Sequence, residues 1–154
     1  MKTRTILACL AVFLAGSVLS WAEDPNMGTW KLNEAKSNLT AGVPKNHTVA
    51  YTAAGDSVKV TVDGVDGQGK PAHNEWTGKF DGKDYAVTGD PTSDTRSYKR
   101  IDDRTLEFWG KKAGKVTLSG RVAVSADGKS RTVTVTGTDA SGAKISGTAV
   151  YDKQ

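Results

Sequence analysis

The chain predicts an all-β fold, an antiparallel up-and-down meander closing into a single small barrel of about 8–10 strands, preceded by a cleavable signal peptide. Three observations carry this expectation. From Gly28 onward, runs rich in Val, Thr, Tyr and Trp alternate with short turn clusters roughly every ten residues. Within the runs, apolar and polar side chains alternate with a period of two, which gives each strand one dry and one wet face. Past the N-terminal segment no run has a helical period, so the dry faces have only one another to pack against. Closure of successive hairpins covers them and removes the exposed edges of an open sheet.

The chain opens with Lys2 and Arg4, an apolar run over 6–19, and the small residues Ser20 and Ala22 ahead of Glu23 and Asp24. That order is a signal peptide's, and the run is too short for a bilayer core of about 30 Å. Residues 1–22 are therefore expected to be removed, leaving 23–154 as one barrel domain secreted to the periplasm or beyond the cell, with no membrane span. The lone cysteine, Cys9, departs with the leader, so the mature domain has no disulfide and depends on burial and backbone pairing. Loss of Lys2 and Arg4 lowers the formal charge from +4 to about +2. The remaining charges are interspersed, without the stripe that would track phosphates, so nucleic acid is not an expected partner. A monomer is assumed.

Ten strands are expected, over 28–33, 48–53, 57–63, 72–80, 85–88, 95–101, 105–110, 115–125, 131–138 and 143–152, with a turn around 34–38. Clusters such as Ala54-Gly55-Asp56, Asp81-Gly82-Lys83 and Asp127-Gly128 separate them and supply the positive φ angles of tight hairpins. Val58, Val60 and Val62 define one dry face; Trp76 and Phe80 define the next, opposite His73, Glu75, Thr77 and Lys79. Val116, Leu118, Val122 and Val124 follow, then Val133 with Val135, then Ile145, Ala149 and Tyr151.

Chemistry at neutral pH requires groups that titrate near it, or a metal in their place. After the leader the chain has His47 and His73. His73 shares a face with Glu75, which reads either as a dyad or half of a metal site, or as part of a solvated face with Lys79. No Gly-x-Ser-x-Gly elbow, His-Glu-x-x-His pair or phosphate-binding glycine loop is present. The Asp63 to Lys70 stretch lacks the spacing and closing Glu of a calcium loop and reads as a wide hairpin. Neither an enzyme, nor a metal site, nor a cofactor is expected. The interior side chains Val60, Trp76, Phe80, Phe108, Leu118 and Tyr151 either line a ligand cavity or fill the barrel, since both uses draw on the same residue types. Arg96, Tyr98 and Arg100 share one strand face; pointing inward, they would receive an anionic group.

The first expected strand, Gly28-Thr29-Trp30-Lys31-Leu32, resembles the Gly-x-Trp opening of lipocalins and fatty-acid-binding proteins, the calycin superfamily. The resemblance implies that Gly28 and Trp30 plug the closed end of the barrel. The chain is also similar to small secreted bacterial lipocalin-like proteins of unassigned function. That likeness runs through Gly28-Thr-Trp-Lys-Leu-Asn-Glu-Ala-Lys-Ser37, Asp81-Gly-Lys-Asp-Tyr-Ala-Val-Thr-Gly-Asp-Pro91, Lys99-Arg-Ile-Asp102 and Val150-Tyr-Asp-Lys153. It implies a fold and no activity. Two departures separate the chain from fatty-acid-binding proteins: about a dozen residues stand where those carry a helical lid, and Ala149-Val150-Tyr151 stands where they carry Arg-x-Tyr. The expected function is a binding protein for a small, mostly apolar molecule. The alternative is a ligand-free envelope or extracellular interaction module, an inhibitor or structural protein, with a filled barrel.

Overall fold

The computed structural model describes residues 24–154; the expected signal peptide lies outside them. One 11-stranded sheet accounts for the fold. Its strands are β1 (Gly28–Leu32), β2 (Asn38–Leu39), β3 (Lys45–Ala54), β4 (Ser57–Val65), β5 (Pro71–Gly78) and β6 (Tyr85–Thr88). They continue as β7 (Thr95–Arg100), β8 (Thr105–Lys112), β9 (Lys115–Val124), β10 (Ser130–Thr138) and β11 (Lys144–Lys153). Strands β3 to β11 pair in sequence order, each antiparallel to the next, and β1 closes the ring by pairing with β3 on one side and β11 on the other.

The connection after β1 is more structured than a plain loop. A short 3-10 turn, Glu34–Lys36, starts at Asn33, whose side chain accepts the Lys36 N–H at 3.2 Å. The chain then returns as β2, unanticipated in the sequence, with Leu39 opposite Gly147 and Asn38 opposite Thr148. β1 and β2 thus lie along the same edge of β11 and share its length. Two residues are too few to show alternation, so no pattern marks β2 in advance.

Alternation decides the inside elsewhere. Val58, Val60 and Val62 of β4, Leu106 and Phe108 of β8, and Val122 and Val124 of β9 are all buried. Val116, expected on the dry face, is instead 55% exposed. It lies beyond a register shift between Gly110 and Lys111, at the hairpin end where the wall no longer curves over a core. Mid-strand Gly120 faces Phe108 across β8 and β9. A Cβ there would stand 2.6 Å from the Phe108 ring and 2.0 Å from the Thr134 carbonyl oxygen, so only glycine admits the ring. The wall is thinnest at β6, which shares two residue pairs with β5 and two with β7.

One end of the barrel is sealed. Trp30 is fully buried, and its indole Nε1–H donates to the backbone oxygen of buried Asn26 at 2.9 Å. Asp24 holds this segment by accepting from the Asn26 N–H and from its side-chain amide at 2.9 and 3.0 Å. Asp24 also takes the Arg100 guanidinium as an ion pair. Lys153 lies 5.1 Å from the Trp30 ring centroid and donates to the Pro25 carbonyl at 3.3 Å. The plug assigned to Trp30 is therefore a small assembly in which the segment before β1 clips the indole into place. Gly28 stands beside it with φ +104°, close to the Lys153 side chain.

Candidate functional site

The barrel interior holds a cavity of about 450 Å³. Its mouth lies at the end opposite Trp30 and is built from the loops after β2, β4, β6 and β10. The first two of these loops touch. A Cβ on Gly67 would meet the Gly42 carbonyl oxygen at 2.3 Å, so the close approach that narrows the mouth requires a residue without one. Val43, in the same loop, is buried and folds its side chain into the cavity wall.

Carboxylates ring the mouth, each engaged by its own turn. Asp66 accepts the N–H groups of Gln68 and Lys70 at 2.8 and 3.0 Å, and these backbone donors hold its carboxyl below the usual carboxylate range. Asp139 is lowered in the same direction, first by the Ser141 hydroxyl and then by the Ala143 N–H. Asp90 accepts the Thr92 N–H and hydroxyl at 2.8 and 2.7 Å and forms an ion pair with Arg96. Both side chains of that pair are more than nine-tenths buried, so each charge relies on the other.

Of the interior residues expected from sequence to contact a ligand, Val60, Arg96, Tyr98, Phe108, Leu118 and Tyr151 front the cavity. Trp76, Phe80 and Arg100 do not. Trp76 is buried behind Tyr98, its ring stacked on it at 5.0 Å and 11°, and Tyr98 stacks in turn on Phe108 at 5.4 Å. The stack joins β5, β7 and β8, the strands on either side of the short β6 and beyond it. Phe80 falls beyond the end of β5, near the sealed end, with the Arg100 guanidinium 5.2 Å from its ring centroid. Arg100 is spent on Asp24. Arg96, Tyr98 and Arg100 thus share a face as expected, but only the first two reach the interior space.

The residue that sequence reading passed over is Arg131, at the start of β10. It is 2% exposed and fronts the cavity at its inner end. Its guanidinium carbon lies 4.8 Å from the Trp30 ring centroid, 5.0 Å from Tyr51 and 4.8 Å from Tyr151. Each ring face returns up to about 2 kcal/mol to a desolvated cation, against an effective cost of several kcal/mol for burying one. No carboxylate forms an ion pair with it among the described residues, and its Nε and Nη1 have no hydrogen-bond acceptor. The signal was legible: Arg131, Val133 and Val135 are spaced by two, so the dry face of β10 extends back to the arginine.

Around Arg131, burial pushes the Tyr151 phenol up to about 12, with the Arg131 charge pulling the other way. Burial also raises the Tyr98 phenol, and the neighbouring Tyr51 adds to the rise. Both remain neutral O–H groups at ordinary pH, able to donate.

The outer surface is built from local pairs. His73 contacts Asp63, its cross-strand neighbour, at 2.6 Å, while Glu75 pairs with Lys59 at 3.0 Å. His73 and Glu75 therefore form no dyad. No group of three or more His, Cys, Asp or Glu among the described residues could hold a metal ion. No helix among them is long and apolar enough to cross a membrane.

No family model matches the chain, and no curated protein matches it in sequence. Two solved structures are similar in shape: a redesigned β-barrel, mFAP1, bound to DFHBI, and EF1p2_mFAP2b bound to DFHBI. Each has a TM-score of 0.46 and covers 84% of this chain. The first is 12% identical over 95% of its own length and the second 11% over 94%.

Proposed function

We propose that this barrel is a non-enzymatic binding protein that encloses one small, mostly apolar molecule, and that it acts outside the cytoplasm once its leader is removed. The interior cavity carries the reading. Close-packed cores leave few voids larger than a water molecule, whereas about 450 Å³ is kept clear here, within the range of small-molecule sites. Valines from β3, β4, β9 and β10 form much of the wall, with Tyr51, Tyr98, Phe108 and Tyr151 contributing broad ring surfaces. The absence of a His–Glu pairing on β5 favours binding over hydrolysis.

Native mass spectrometry of protein purified from its own host, together with uptake of the neutral dye Nile red, tests this reading. A co-purified small molecule and saturable dye uptake are expected. No adduct and no uptake would refute it and favour the interaction module.

A further inference from the structure

We infer that the ligand carries a single oxyanion, a carboxylate or a chemically similar group, and that it enters head first to rest against Arg131 at the sealed end. This inference rests on the binding-protein reading and adds charge and orientation to it.

The cavity contains two cations, and only one is neutralised by the protein. Arg96 is matched by Asp90 within the same buried pair. Arg131 is equally buried, fronts the same cavity, and meets ring faces instead of a carboxylate. Ring faces offer partial negative charge but accept none of the guanidinium's in-plane N–H bonds, and Nε and Nη1 lack acceptors. The three rings fix the guanidinium in position, which lowers the cost of organising it around an incoming anion. The other charged groups in the cavity wall are Asp66, Asp90 and Asp139, all at the mouth and all held by their own turns or by Arg96. Potential therefore becomes more positive from mouth to floor. A mostly apolar molecule with one anionic end is oriented by that gradient, its body against the valines and its head on the floor. The hydroxyls of Tyr98 and Tyr151 belong to the same cavity wall and add neutral donors to it.

The test compares naphthoate with its neutral counterpart naphthylmethanol, by calorimetry, on the leader-free protein and on two variants. The wild type should bind naphthoate about tenfold or more tighter than naphthylmethanol. Arg131→Met should abolish that preference, and Arg131→Lys should retain part of it. Equal binding of both probes by the wild type would overturn the anion assignment and leave the binding-protein reading standing. Binding of neither probe would overturn both. The wild-type comparison does not depend on either variant folding.

Discussion

Replacing Trp30 with Phe keeps a ring at the sealed end but removes the indole N–H and part of the volume. The lost bond, 2.9 Å to the backbone oxygen of fully buried Asn26, leaves an acceptor in the interior without a donor, at about 1–3 kcal/mol. The smaller ring leaves a void costing on the order of 1 kcal/mol. Weaker attraction for Arg131 at 4.8 Å and Lys153 at 5.1 Å adds roughly 0.5 kcal/mol each. The sum is roughly 3–5 kcal/mol, which at about 4 °C per kcal/mol lowers Tm by about 12–20 °C. Urea unfolding followed by far-UV circular dichroism measures this directly, since that signal does not depend on tryptophan emission. A loss below about 1 kcal/mol with an unchanged m-value would refute the claim that the indole and the segment before β1 hold the end shut together.

Asp90→Asn leaves the Arg96 charge buried without its partner and should cost on the order of 3 kcal/mol in the same assay; a change under about 1 kcal/mol would mean that water reaches the pair. Alkaline pH should destabilise the barrel through Tyr151. Burial pushes its phenol up to about 12 when folded against about 10 when unfolded, so the unfolded chain releases its proton first and stability falls as pH rises through that window, by on the order of 2–3 kcal/mol at most. In Tyr151→Phe that part of the pH dependence should vanish, and an unchanged slope of stability above about pH 10 would contradict the assignment. His73→Ala, which removes an exposed pair with Asp63, should move stability by less than about 0.5 kcal/mol, and a larger loss in thermal melts would assign the pair a structural role.

The strands were legible because the period-two pattern and the Asp-Gly turns agree along most of the chain. β4, β6 and β7 lie close to where the valine run, the Tyr85 stretch and the arginine-bearing stretch place them. β2 was not legible, because its two residues pair with β11 from more than a hundred positions away. Site residues divided along a similar line. Shared facing, which is local, was legible for Arg96 and Tyr98, although the alternation left open whether that face points inward. Height along the barrel, which depends on which hairpins end where, was not legible, so Phe80 and Arg100 fell at the sealed end; Trp76 is screened by the Tyr98 ring stacked over it, a packing contact that no local pattern shows. Arg131 was missed because an arginine at a strand start reads by its charge as solvent-facing, although the alternation it begins points inward.

The seam between β1 and β11 joins residues near the two ends of the described chain, with Trp30 opposite Lys153. Every other neighbouring pair in the ring except β1 with β3 is a local hairpin that can form as soon as its two strands exist. Ring closure therefore needs the final ten-residue strand, and it is the pairing with the largest loop-closure entropy to overcome. Until then the unfinished curl presents two bare edges, a template for strand exchange between copies. A chain truncated before Lys144 would lack the strand that joins these two edges.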